Sequence, residues 1–548
     1  MSKRSFLPIS TLCGLSALCM LRAAAPGPAL AQGAAATSTP AAAPAPGSAA
    51  APAAMPAAAG AGAEKKPPEE KVSTTRHAIT LDGKKVAYTA TAGNVVLKDE
   101  DGTAKAPVFF IAYLRDPEPG QAADPGARPV TFSFNGGPGA ASLWVHMGAF
   151  GPKKVARDED GMALPPPVRM IDNEFSLLDV TDLVFIDPVS TGYSRPAPGQ
   201  DAKQFHGVRQ DVQWVGEFIR LWVTRNRRWA SPKFIAGESY GTTRAAGLAA
   251  YLDERFGMQL NGVVLISTVL NWQDQEFHVG NDLPYPIILP TYTAAAWYHH
   301  KLAPELQADL SRTLAESEAF ALDDYAPALL QGDRLAPERK QQVAAKLARL
   351  TGLSLDYVLR SNLRVEINRF TKELLRAEGK TVGRLDTRFT GSDLDAVGEE
   401  PEFDPAAVSL DGPYAAAIND YVRRELGFES DLVYERLARV WPWSFDGFEN
   451  QYVNVAEPLR QEMVKNPALR VLITSGVFDL ATPYFDAVYT VEHMGLPPAL
   501  KGHIEITRYE SGHMIYIRRS EQRKFKNEIA RFMRAAVAGA AGGPKTGG

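Results

Sequence analysis

Lys233-Phe234-Ile235-Ala236-Gly237-Glu238-Ser239-Tyr240-Gly241 is the stretch on which the fold turns. Its first four residues form a short, mainly apolar run that reads as a strand. The next five are a G-x-S-x-G turn. Thr242 to Tyr251 follows as an Ala-rich run that reads as a helix. A strand, a tight turn and a helix together lift a serine oxygen clear of the top of a sheet. Gly237 and Gly241 permit the sharp change of direction. Glu238 is the unusual member, because it sets a carboxyl group directly beside the serine.

The flanking sequence supports a sheet. Val130 to Phe134, Leu183 to Ile186, Val263 to Ile266 and Val471 to Thr474 are short apolar runs, as expected of strands buried on both faces. Val212, Val215, Phe218, Ile219 and Trp222 recur at helical spacing within 211–229. Strands alternating with helices predict an α/β protein with a mostly parallel central sheet. Earlier, Val86 to Ala90 and Val108 to Tyr113 alternate in the manner of antiparallel strands.

The rhythm breaks between about Trp272 and Phe445. Pro304 to Leu322, Ala336 to Leu350, Ser354 to Leu363 and Val365 to Ala377 read as helices. This block, 273–445, is expected to be a helical cap inserted into a sheet domain made of 73–272 and 446–538. A helix over Ser520 to Ala536 closes the pattern.

The two ends have a different composition. Lys3 and Arg4, the apolar run Phe6 to Leu21, and Ala29-Leu30-Ala31 before Gln32 predict a secretory signal peptide over 1–31. The alternative is an N-terminal membrane anchor, although the apolar run is short for a span. The Ala/Pro-rich stretch 32–72 is expected to be a disordered linker, and 539–548 a disordered tail. An exported protein, periplasmic or extracellular, is therefore expected.

Composition narrows the function. The 548 residues are 45% hydrophobic and 22% charged, with net charge -4 and mixed signs along the chain. Neither nucleic-acid binding nor a stable membrane span after leader removal is expected. Both cysteines, Cys13 and Cys19, fall in the expected leader. A thiol nucleophile, a disulfide and a Cys-based metal site are thereby excluded from the mature chain. No H-E-x-x-H pattern occurs, and no metal or cofactor is expected.

A serine hydroxyl becomes a useful nucleophile when a histidine removes its proton and a carboxylate holds that histidine. Asp479 directly follows the run Val471 to Thr474 and its Ser475-Gly476-Val477-Phe478 extension. His513 lies in Ser511-Gly512-His513-Met514, after Ile504 to Thr507. Each is expected at the carboxyl end of a strand, where α/β sheets build sites. The order Ser239, Asp479, His513 is that of the α/β-hydrolases. His146 is the nearest rival base; His299 and His300 read as surface or packing residues. The N–H of Tyr240 is one candidate donor to an oxyanion. Asn135-Gly136-Gly137-Pro138-Gly139, after an earlier strand, offers the N–H of Gly137 as the second.

Four motifs together resemble the serine carboxypeptidases. They are Asn135 to Gly139, Phe185 to Ser194, Gly237 to Gly241 and Gly512-His513-Met514. The resemblance covers the sheet domain and implies an α/β-hydrolase fold with an inserted helical cap. It implies removal of C-terminal residues from peptides through an acyl-enzyme. By the same resemblance Asn135 and Glu238, with Gly136, bind the substrate's C-terminal carboxylate. Met514 reads either as a lining of the leaving-residue pocket or as a buried core methionine. Three positions depart from the family pattern: Ala149 stands for an acidic residue, Ala140 for a cysteine and Val477 for an acidic residue. An esterase or acyltransferase with the same triad is the alternative enzyme. A catalytically silent binding protein is the alternative outside enzymes. Oligomeric state and side-chain preference are not legible.

Overall fold

A computed structural model describes residues 68–118, 120, 124 and 126–541. The expected leader, the expected linker up to residue 67 and the last seven residues lie outside the described residues.

Nine strands form the central sheet: β1 (Val72–Leu81), β2 (Lys84–Lys98), β3 (Ala104–Arg115), β4 (Val130–Phe134), β5 (Asp182–Ile186), β6 (Lys233–Ser239), β7 (Gly262–Thr268), β8 (Arg470–Gly476) and β9 (Ile504–Tyr509). Their spatial order is β1-β2-β3-β5-β4-β6-β7-β8-β9. The first three pairings are antiparallel. All later pairings, from β5/β4 to β8/β9, are parallel. The protein is thus an α/β-hydrolase with a mostly parallel sheet, and the carboxyl ends of β4, β6, β8 and β9 share one edge.

Strand alternation divides the core into two layers. Phe234 and Ala236 of β6 join one, and Ile235 joins the other. Helices α1 (Val208–Arg225) and α2 (Tyr240–Phe256) cover the second layer through Val215, Phe218, Ile219, Leu248 and Leu252. The inner strands β4 to β8 are buried on both sides, which explains why their sequences are mainly apolar.

A third apolar cluster is built from helices between residues 284 and 375 and from Val477 to Phe485. Its central helix, α3 (Pro284–Tyr298), is apolar nearly all round and buried along almost its whole length. Helix α4 (Pro405–Arg424) lies within the expected cap range but packs elsewhere. Leu410, Tyr414, Ala417, Ile418 and Tyr421 join the first sheet layer. Val440 and Trp443 likewise join the second. In packing terms the separate helical cluster therefore ends near Val382, because the later apolar side chains find partners on the sheet.

Two boundaries also differ from the sequence reading. The final helix, α5 (Arg519–Ala541), runs five residues beyond Ala536, through an Ala-rich stretch that favours helix. At the other end, Lys71 donates its N–H to Asn94 Oδ1 at 2.6 Å, and Glu70 pairs with Arg225 at 2.8 Å. The last residues of the expected linker are thus tied to the sheet domain.

Candidate active site

Ser239 sits at the junction of β6 and α2 with φ 62° and ψ -133°. A side chain rarely adopts this backbone, which costs about 1–3 kcal/mol. The turn leaves no space for larger neighbours. A Cβ on Gly237 would lie 2.1 Å from Gly241 O. One on Gly136 would lie 2.4 Å from the backbone N of both Tyr240 and Gly241. The loop after β4 therefore rests directly on the first turn of α2, as only glycine allows.

Asp479 and His513 meet beside this turn. His513 Nδ1 and Asp479 Oδ2 are 2.7 Å apart, and Asp479 is fully buried. Asp479 Oδ1 accepts the N–H groups of Ala481 and Thr482, at 2.8 and 3.1 Å. Thr482 Oγ1 donates to Oδ2 at 2.7 Å. The carboxylate is thereby fixed in one orientation. Burial alone lowers the His513 pKa, but the Asp479 carboxylate overrides it, and the net shift is upward. With Nδ1 committed to Asp479, Nε2 is the nitrogen left for proton transfer.

The two loops are held by a segment lying between α3 and α4. His513 N–H donates to Leu385 O at 2.7 Å, and Thr387 N–H donates to Phe478 O at 3.0 Å. Gly512 N–H donates to Asp386 Oδ2 at 3.1 Å. Asp386 is itself locked by Arg388 in a buried pair, 2.6 Å apart. Residues 384–388 thus clamp the Asp loop and the His loop together.

Beneath the elbow lies a buried ionic network. Arg244 of α2 is 1% exposed; its Nε donates to Asp211 Oδ2 and its Nη1 to Asn135 O, both at 2.7 Å. Tyr240 OH also donates to Asp211 Oδ2, at 3.0 Å. Arg244 thus ties the Asn135 loop to the helix that begins at Ser239. Sequence reasoning did not single out Arg244, Asp211 or Asp386. The one available signal was an arginine in an otherwise small-residue helix just after the serine.

Glu238 points to the same region and is 3% exposed. Asn135 Nδ2 donates to its Oε1 at 2.6 Å, while Asn135 Oδ1 accepts the N–H of Val145 at 3.0 Å. Burial pushes the Glu238 pKa up to about 7, against the opposing pull of His513. Near neutral pH this carboxyl is therefore poised between its two charge states.

A cleft of about 970 Å³ opens above these groups. Asn135, Gly136, Gly137, Glu238, Ser239, Tyr240, His513 and Met514 all line it. Trp144, Val269, Trp272, Leu410 and Leu437 give it apolar walls. Asp479 stands behind His513. Every candidate residue is thus gathered at one place, although nearly four hundred positions of sequence separate the first from the last. His146 lies elsewhere, within ring contact of Tyr113, Phe185 and Tyr421. Burial depresses its pKa to about 3, so it is a neutral packing residue. His299 Nε2 donates to the Thr387 carbonyl oxygen, 2.6 Å away. Trp443 packs edge-on against Tyr240 rather than lining the cleft.

A parallel sheet with a strained serine on its strand-to-helix turn places the protein among the α/β-hydrolases. The sequence pattern of the serine carboxypeptidase family matches residues 102–540, and the chain belongs to that family. It is a serine carboxypeptidase by class. The structure is similar to Kex1ΔP, a prohormone-processing carboxypeptidase from Saccharomyces cerevisiae, with TM-score 0.50 and 14% identity. That match covers 82% of this chain and 92% of the other. A proline iminopeptidase from Mycobacterium smegmatis also aligns, with TM-score 0.33 and 14% identity over 82% of this chain and 99% of its own. No curated protein matches the sequence. Among the described residues, no helix is long and apolar enough to cross a membrane.

Proposed function

We propose that the protein removes single residues from peptide C-termini through an acyl-enzyme on Ser239. The observation that carries this reading is the buried, Asn135-bonded Glu238 beside a strained serine, in one cleft with His513. His513 Nε2 takes the proton as Ser239 Oγ attacks the last peptide carbonyl. The oxyanion is held by the N–H groups of Gly137 and Tyr240, each worth on the order of 3–4 kcal/mol. His513 then protonates the departing amino acid, and water releases the acyl group. Met514 and the apolar walls suit apolar side chains around the scissile bond. Asn135, Gly136 and Glu238 hold the terminal carboxylate.

Two adjacent carboxyl groups are tolerated when they share a proton. Glu238 thus binds substrate in its protonated form, and binding weakens as pH rises through about 7. KM for a free-acid peptide is expected to rise up to tenfold per pH unit above that point. Glu238→Gln removes this limb, because an amide donates at every pH. A limb unchanged in Glu238→Gln would sink the assignment. The broader test compares a blocked dipeptide with its C-terminal amide and a simple ester. A preference for the free acid supports the carboxypeptidase reading. Equal rates on all three favour an esterase or acyltransferase.

We further propose that the protein is exported. The support is the basic–apolar–small pattern of residues 3–31. Full-length expression followed by N-terminal sequencing is expected to return a chain beginning near Gln32. An uncleaved Met1 terminus in the membrane fraction would indicate an anchor instead.

A further inference from the structure

Two buried polar atoms lie unpaired behind the carboxylate site. Glu238 Oε2 makes no hydrogen bond of standard geometry, and neither does the Tyr516 hydroxyl. The two side chains are close enough to interact electrostatically, and Tyr516 also adjoins the Asn135 side chain. Tyr516 is 1% exposed and lies in the short turn Ile515–Ile517, three residues after His513. Its ring takes the space beside Gly148, where a Cβ would lie 2.4 Å from Tyr516 Cε2 and 2.6 Å from Tyr414 OH. The next residue, Ala149, has no polar group to offer Glu238.

We propose that Tyr516 is a positioning residue for the C-terminal-carboxylate site, acting through Glu238. This rests on the reading of Glu238 given above. Asn135 Nδ2 occupies Oε1, so the proton of a neutral Glu238 resides on Oε2. A Tyr516 O–H donated to one lone pair of Oε2 leaves the Glu238 proton directed at the cleft. Without that donor Oε2 has no fixed partner behind it, and the carboxyl group is free to rotate away from the cleft. Tyr516 is thus what keeps Glu238 presented to substrate, in a role that needs a neutral donor and no second carboxylate.

The groups facing Glu238 set its titration. Burial raises its pKa most; His513 lowers it, the Tyr516 and Asn135 donors lower it, and Asp479 raises it. The Tyr414 hydroxyl lies behind, within reach of Arg157. Removing only the Tyr516 oxygen therefore takes away a group that favours the ionised form.

Tyr516→Phe keeps the ring against Gly148 and tests the idea. The alkaline limb of kcat/KM for a free-acid peptide is expected to move upward by roughly half a pH unit. KM at pH 5 is expected to rise several-fold for the free acid and less for its amide, with kcat changing less than KM. A second measurement does not depend on turnover. The protonated-carboxyl infrared band that Glu238→Gln removes is titrated in Ser239→Ala and in Ser239→Ala/Tyr516→Phe. An upward displacement in the double variant supports the role. Coincident titrations, or equal KM changes for acid and amide in the single variant, overturn it. If wild-type protein fails to distinguish acid from amide while the infrared shift is present, the carboxylate-binding reading fails and the Glu238–Tyr516 coupling stands.

Discussion

Ser239→Ala lowers kcat on a free-acid peptide by on the order of 10⁴- to 10⁶-fold, while the protein stays folded. The size follows from the unit being disabled. Removing the proposed nucleophile leaves only binding and oxyanion stabilisation, and the members of such a unit are strongly non-additive. His513→Ala should therefore cost a comparable amount, and the double variant little more. Stability should change little, since alanine keeps the backbone of a residue held at φ 62° by its surroundings. A fluorophosphonate probe should label the wild type and leave Ser239→Ala unmarked. Residual turnover within tenfold of wild type, or persistent labelling, would place the nucleophile elsewhere. Absence of labelling in the wild type would point to a silent scaffold.

Arg244→Met destabilises the fold by about 3–5 kcal/mol, the typical cost of leaving one partner of a buried pair uncompensated. Asp211 is 4% exposed and would keep only the Tyr240 hydroxyl as a side-chain donor. The Asn135 carbonyl would lose its guanidinium donor as well. Arg244 also lies 4.8 Å from the Phe134 ring centre and 5.3 Å from that of Tyr240, so both sides of the elbow relax together. Urea denaturation should show the loss as a lower midpoint with little change in slope. Arg244→Met/Asp211→Leu should recover much of it, because no lone charge remains. A single variant as stable as wild type would mean that the network is not carrying the loop. KM for free-acid peptides should rise in the single variant, since Asn135 anchors Glu238.

The inner part of the sheet was legible because β4 to β8 are buried on both faces and carry short apolar runs. That Ser239, Asp479 and His513 would lie at one edge of the sheet was legible because each follows such a run. Helix α4 was not, although Asp404-Pro405 is a good cap and first-turn pair and Asp404 Oδ1 does accept the Ala406 N–H at 2.9 Å. Pro413 in its interior argued against it, and tertiary packing of Tyr414 and Tyr421 overrides that penalty. Helix α3 lacked a polar face to reveal its period, because it is buried nearly all round. The Arg244–Asp211 pair spans 33 residues, and Tyr516 meets Glu238 from the far end of the chain. Such pairings arise from topology and leave no local spacing to read.

The clamp formed by residues 384–388 has a consequence for the life of the molecule. It comes from the region between α3 and α4, yet it fixes Gly512, His513 and Phe478 through backbone contacts. The loops that carry Asp479 and His513 therefore lean on a region remote from both in the chain. Damage to that remote region would reach both loops through these contacts, with Ser239, Asp479 and His513 themselves unchanged.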